Sequence, residues 1–171
     1  MVTRALYLGR FQPYHLGHHA VIQRIASDAA LDELIIGIGS AQKSHEVSDP
    51  FTAGERVVMV TRALKELKKP YYVIPIPDVR KNSIYVSHVR SLVPPFKCIY
   101  SNNPLVVRLF QEWGIEVRNP PLFERDKYEG KEIRRRMLND EPWEHLVPEE
   151  VVKVIEEVGG VKRLKSVAGS D

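Results

Sequence analysis

Cysteine is nearly absent: Cys98 stands alone among 171 residues, which excludes an internal disulfide and suits a reducing cytosol. No apolar run approaches the length of a membrane span, and the N-terminus lacks the long apolar core of a signal peptide. A cytoplasmic location with no membrane partner is therefore expected. A strong net charge is also missing. The formal balance is only +3, and its basic runs, Arg134-Arg135-Arg136 and the tail's Lys162, Arg163 and Lys165, read as solvated faces, so no nucleic-acid partner is expected. There is no repeat, no low-complexity segment, no linker, and no serine or cysteine nucleophile motif. This length fits one domain with a substantial core, spanning residues 1–171, in which a sheet-bearing region over residues 1–120 precedes a helical region over residues 121–171.

What is present begins at the N-terminus. Ala5-Leu6-Tyr7-Leu8 is a strand-length apolar run that leads into Gly9-Arg10-Phe11-Gln12-Pro13-Tyr14-His15-Leu16-Gly17-His18. Gly9 permits close approach to a ligand, and Pro13 fixes a turn. His15 and His18 stand three residues apart at the start of a helix that runs on through Ile25, so both imidazoles share one face at its N-terminal mouth. Free backbone N–H groups and the positive dipole end already favour an anion there. A histidine near a helix start is by itself an ordinary cap or surface residue. Here strand, turn, paired histidines and amphipathic helix coincide, which points to phosphate.

Strands and helices then alternate. Glu33 to Gly39 is a buried-strand run. Thr52 and Glu55 form a capping box opening a helix from Arg56 to Leu67, with Val57, Val60, Leu64 and Leu67 as its stripe. The remaining expectations are a strand over Tyr71–Ile76, a helix over Ile84–Leu92, a strand over Lys97–Tyr100, a helix over Pro104–Trp113 ended by Gly114, and a strand over Ile115–Val117. The pattern predicts an α/β fold, a Rossmann-like doubly wound parallel sheet of five strands. Four loops, at Gly9-Arg10, Gly39 to Gln42, Pro77-Asp78 and Ser101 to Pro104, follow strands and should converge on one crevice. Beyond them the chain turns helical. Gly130 to Asn139 should turn Ile133, Met137 and Leu138 inward, and Pro148 opens a helix carrying Val151, Val152, Val154, Ile155 and Val158, together a C-terminal helical cap. Three consecutive helical arginines cannot face one way, so at least one of them should face the crevice.

The His15-Leu16-Gly17-His18 stretch resembles the signature of the nucleotidyltransferase superfamily that includes class I aminoacyl-tRNA synthetases. Gly39 to Gln42, Asp49 to Arg56, Ser101 to Val106 and Gly130 to Met137 extend the likeness. Together they resemble the archaeal-type nicotinamide mononucleotide (NMN) adenylyltransferases, over Leu8 to about Val161. The resemblance implies transfer of AMP from ATP to NMN, giving NAD and pyrophosphate with Mg²⁺, in a homo-oligomer, a hexamer by family likeness. It assigns His15, His18, Arg10 and Arg134 to the phosphates as catalytic groups. Gly9, Phe11, Ser40, Gln42, Asn103 and Arg125 are assigned to ATP, and Asn82 and Tyr85 to the nicotinamide. No residue is assigned as a protein metal ligand. Glu129 and Lys131 stand where the family carries serine and threonine, so hydroxyl contacts to phosphate are lost there, and Lys131 could substitute as a cation. Without the resemblance, Asn82 reads as an N-cap and Tyr85 as a half-buried core residue.

The chemistry so implied needs no protein nucleophile or general base, because a phosphate monoester is already ionised. Positioning and electrostatic stabilisation suffice. Other acceptors, including nicotinate mononucleotide, FMN, pantetheine phosphate or a polyol phosphate, remain open from the first half of the chain. A nucleotide-sensing or nucleic-acid-binding protein without turnover is the alternative from another class. A class I synthetase is not expected, since the length leaves no room for a tRNA-binding domain and no Lys-Met-Ser-Lys-Ser loop is present.

Overall fold

The computed structural model describes residues 1–121 and 128–169. Five strands, β1 (Arg4–Gly9), β2 (Glu33–Ile38), β3 (Tyr71–Pro75), β4 (Cys98–Tyr100) and β5 (Glu116–Arg118), form one parallel sheet in the order β3-β2-β1-β4-β5. Each crossover is helical, as parallel pairing requires: α1 (Leu16–Ala26), α2 (Ala53–Ala63), α3 (Tyr85–Leu92) and α4 (Pro104–Glu112). Three further helices follow, α5 (Gly130–Leu138), α6 (Glu149–Glu157) and α7 (Gly160–Ala168).

Side chains alternate across the strands, which divides the core. Leu6, Ile35 and Ile99 face Val86, Val89 and Phe110 of α3 and α4. Ala5, Leu34, Ile36, Ile38 and Cys98 face the other way, into a larger cluster with Ile22 of α1, Met59 and Val60 of α2, and Ile133, Met137, Val151, Ile155 and Leu164 of the C-terminal helices. The helical third therefore shares the core of that sheet face. The order of the strands reverses between β1 and β4, and it is there, at the carboxyl ends, that an open sheet leaves a crevice.

Several local expectations are met in detail. Thr52 Oγ1 accepts from the Glu55 backbone N–H while Glu55 accepts from that of Thr52. Gly114, at φ +74, ends α4 with the Ile115 N–H bonded back to Phe110 and its own to Gln111, the left-handed cap that favours glycine. Three expectations shift. The second helix stops at Ala63 instead of reaching Leu67, because the chain tightens into turns in which Lys65 bonds to Arg62 and Leu67 to Leu64. The fifth strand is Glu116–Arg118, one residue later than expected, because Ile115 is used in the cap of α4. The tail is helical as α7, where Gly159 in the left-handed region (φ +63) breaks the chain after α6. The basic tail is also not simply solvated. Arg163 grips Glu55 and the Pro50 carbonyl, and Lys165 pairs with Asp140.

Candidate active site

Burying a polar group is costly unless it is bonded. The buried polar or charged residues among those described, Gln12, His15, Asp49, Arg56 and Ser101, all gather at the carboxyl ends of the central strands, and none of their buried side-chain atoms lacks a hydrogen bond. Gln12, His15 and Ser101 are in the wall of a cleft of about 600 Å³ at the β1/β4 reversal, lined also by Arg10, Phe11, His18, Asn103 and Arg134.

The paired histidines are both cap and site. Nδ1 of His15 accepts from the backbone N–H groups of Gly17 and His18, and Nδ1 of His18 accepts from that of His15, closing a capping box made of two imidazoles. The rings stack at 3.6 Å. Gly17 is required by close approach, since a Cβ there would lie 2.9 Å from the His15 ring and from the Tyr128 Cβ. With Nδ1 of each ring engaged as an acceptor, the proton of each neutral ring sits on Nε2, which has no protein partner among the described residues. Burial lowers the pKa of His15 to about 4. Burial, then the neighbouring His15, pushes His18 well below its ordinary value. At neutral pH the pair therefore presents two N–H donors and no charge.

Phe11 holds this arrangement from below. It is fully buried with φ +55, and its ring meets His18 edge-on at 4.7 Å. Gly9 is a glycine because of that ring: a Cβ would lie 2.6 Å from it. The close approach expected of a ligand at Gly9 is thus made by Phe11.

Positive charge enters from two sides. Arg10, at the end of β1, pairs with the buried Asp49 and keeps its other N–H groups free of protein partners among the described residues. Arg134, half-buried on α5, donates to the Gln12 carbonyl at 2.7 Å. Gln12 in turn bonds through both amide atoms to the backbone of Phe51, fastening the turn to the segment before α2. Burial, then Arg10, lowers the pKa of Arg134, so the two cations are near enough to repel each other across the cleft. The three arginines of α5 divide as expected. Arg135 turns outward to Glu132 and Glu141, and Arg136 to Glu132 and the Pro142 carbonyl. Asn103 caps α4 by accepting from Leu105 and Val106 at the cleft wall, and Glu129 and Lys131 line the mouth.

The other expected residues lie elsewhere. Ser40 and Gln42 do not line this cleft. Both donate to the Asp78 carboxylate, and Gln42 accepts from the Asp78 N–H. That tie joins the loops after β2 and β3, while the Gly39 N–H donates to the Gly9 carbonyl at 2.8 Å and joins the loops after β2 and β1. Asn82 and Tyr85 stand on the same side as Asp78, after β3. Asn82 is exposed and is not an N-cap: it begins a short 3₁₀ turn whose cap is Lys81. Tyr85 is half-buried, its ring edge-on to Phe110 at 6.1 Å. Arg125 lies outside the described residues. Sequence reasoning missed the structural weight of Arg56, which is fully buried and donates to the carbonyls of Arg10, Gly39, Ser40, Ala41 and Lys43 as well as Thr52.

The fold is a parallel sheet with a cleft at the strand reversal, where paired imidazoles stand beside two arginines. Residues 6–136 match the model of the cytidylyltransferase-like family, and the chain belongs to that family. Its similarity is narrower than that. Proteins named nicotinamide-nucleotide adenylyltransferase from Methanosphaerula palustris and Methanosarcina mazei are each 62% identical to it, over 98% and 99% of this chain and 99% and 97% of their own. The protein of that name from Haloarcula marismortui is 56% identical over 98% of this chain and 88% of its own. Among solved structures, a bifunctional NMN adenylyltransferase/ADP ribose pyrophosphatase from Francisella tularensis, complexed with AMP and a Mn ion, has the same fold. Its TM-score is 0.72 at 18% identity, over 97% of this chain and 52% of that one, so this chain spans about half of that protein. No helix among the described residues is long and apolar enough to cross a membrane.

Proposed function

We propose that this chain is a nicotinamide-nucleotide adenylyltransferase that joins AMP from ATP to NMN, giving NAD and pyrophosphate. The observation that carries the proposal is the cleft at the strand reversal, where the Nε2–H groups of His15 and His18 stand uncharged beside Arg10 and Arg134. The full-length likeness to relatives of that name supports the acceptor.

The NMN phosphate attacks the α-phosphorus of ATP in line, and pyrophosphate leaves with added negative charge. The Nε2–H groups of His15 and His18 are donors held in place by their cap, and fixed donors need little reorganisation as charge develops. His18 and His15 would grip the phosphate chain from the α1 mouth, Arg10 and Arg134 from either side. Phe11 and Asn103 would bound the ATP site, while Gly9 would serve it indirectly by making room for Phe11. Ser40 and Gln42 would act through Asp78, and Arg125 is proposed to contact the triphosphate. No group of three His, Cys, Asp or Glu residues among those described could hold a metal. Mg²⁺ would therefore arrive as part of the substrate, coordinated mainly by phosphate oxygens, a ligand set it commonly keeps. Asn82 offers the paired donor and acceptor that a carboxamide needs, and Tyr85 the ring to cover a pyridinium. A cytoplasmic homo-oligomer, hexameric by family likeness, completes the proposal; sedimentation of the purified chain measures its size.

The test is turnover. The full chain with ATP, Mg²⁺ and a panel of NMN, nicotinate mononucleotide, FMN and pantetheine phosphate should yield dinucleotide and pyrophosphate fastest with NMN. Preference for a non-pyridine acceptor, or no turnover with any, overturns the proposal.

A further inference from the structure

Asp49 and Arg56 are the two fully buried charged residues of the described chain, Asp49 in the segment joining β2 to α2 and Arg56 in the first turn of α2, both remote in sequence from the histidines. Neither lines the cleft. They nevertheless hold Arg10 at both ends: Arg56 Nη1 donates to the Arg10 carbonyl at 2.9 Å, and the Asp49 carboxylate takes the Arg10 guanidinium. The second carboxylate oxygen of Asp49 accepts from Ser48 Oγ at 2.7 Å, so both oxygens are fixed. The environment favours the ionised form. Burial pushes the Asp49 carboxyl up, but the Ser48 hydroxyl, Arg10 and Lys43 together outweigh it and hold the group below its usual value. Its negative charge also favours the charged forms of Arg56 and Arg134. One buried carboxylate is thus a counterweight to three arginines.

A guanidinium on a long, flexible stem loses rotamer freedom when it grips an anion. The Arg10 side chain is 53% exposed, while the Asp49 side chain that holds it is fully buried. One donor is thereby anchored to the rigid interior, and the rest are left for the cleft. We propose that Asp49 is a positioning residue that acts through Arg10, holding its guanidinium in place for the triphosphate. This rests on the reading of the cleft as the ATP phosphate site.

The experiment is a double-mutant cycle on kcat/KM for ATP, measured with the full chain, NMN and Mg²⁺. Arg10→Met should lower it by about 100-fold, the usual loss for one preorganised donor. Asp49→Asn, which keeps the shape and removes the charge, should lower it by about tenfold through misplacement of Arg10, with the KM for NMN unchanged. In the Arg10→Met background, Asp49→Asn should have no further effect, because the group it positions is gone. Ser48→Ala, which removes the bond to the other carboxylate oxygen from a residue at the cleft wall, should show a smaller loss of about two- to threefold with the same disappearance. That variant keeps the proposal falsifiable should Asp49→Asn fail to fold. If the losses multiply in the double variants, or if Asp49→Asn raises kcat/KM, the positioning role is overturned while the ATP site stands. If Arg10→Met leaves kcat/KM unchanged, the positioning role and the reading of the cleft fall together.

Discussion

The carboxyl edge of the sheet carries two regions built on different principles. At the β1/β4 reversal, side chains are fixed by bonds to the protein itself: the histidines cap α1 and stack, Arg134 rests on Gln12, and Arg10 rests on Asp49. After β2 and β3, Asp78 ties Ser40 and Gln42 at the surface, and Asn82 stands exposed with no side-chain hydrogen bond among the described residues. The difference fits what each region is proposed to meet. Stabilising charge that develops during reaction calls for donors held in place beforehand, whereas selecting an acceptor needs only a surface that closes around it. Substitutions in the first region should therefore cost turnover, and those in the second should cost acceptor recognition.

The largest effect is expected at His18. Removing one preorganised donor by His18→Ala should lower kcat by on the order of 10² to 10³ with little change in the KM for NMN; near-normal steady-state turnover would break the comparison. Arg134→Ala should cost about 10² in kcat/KM for ATP. Arg135→Ala, which removes only exposed pairs with Glu132 and Glu141, should stay within about twofold. Equal losses would mean a diffuse basic face instead of a built cleft. In the second region, Asn82→Asp should raise the KM for NMN by about tenfold while leaving the KM for ATP alone, as expected when a donor–acceptor match to the bound carboxamide is lost. Nicotinate mononucleotide should suffer more, since two carboxylates would then face each other. An unchanged acceptor profile would move the nicotinamide pocket elsewhere.

A smaller, purely structural effect separates the regions by pH. The ordinary value for His15 is 6.5, and burial lowers it to about 4. Between those values the unfolded chain binds more protons, so the His15 contribution to stability is lost as pH falls from 6.5 toward 4 and levels off below, while His18, also held well below its ordinary value, adds a loss of the same sign. His15→Asn keeps a cap acceptor but cannot titrate. Its Tm should fall less than that of the natural chain over this window, as read by calorimetry, and parallel curves would show that His15 is not the group responsible.

What the sequence made legible was local. The His15/His18 spacing lies within one helical turn, the Thr52/Glu55 box within another, and Gly114 marks its own cap, so each could be read without knowing the fold. The scaffold behind the cleft could not. Gln12 reaches Phe51, Arg10 reaches Asp49, and Arg56 reaches Arg10, separations of 39, 39 and 46 residues that only the sheet order brings together. Arg56 read as an ordinary first-turn residue because nothing local distinguishes a buried arginine from a solvated one. The Asp78 tie between the loops after β2 and β3 is likewise a contact with no short-range signature. The seventh helix lies within the expected helical region but was not singled out, and Gly160 lets it pack on Phe51, where a Cβ would sit 2.6 Å from that ring.

The most direct test is a crystal structure of the chain with Mg²⁺ and α,β-methylene-ATP, which cannot release pyrophosphate. The account predicts the triphosphate against Nε2 of His15 and His18 and between Arg10 and Arg134, with the cleft backbone moved by no more than about 1 Å, as for a preorganised site. A triphosphate seated on the Ser40, Gln42 and Asp78 loops, or imidazoles swung out of their stacked cap to reach it, would contradict the account.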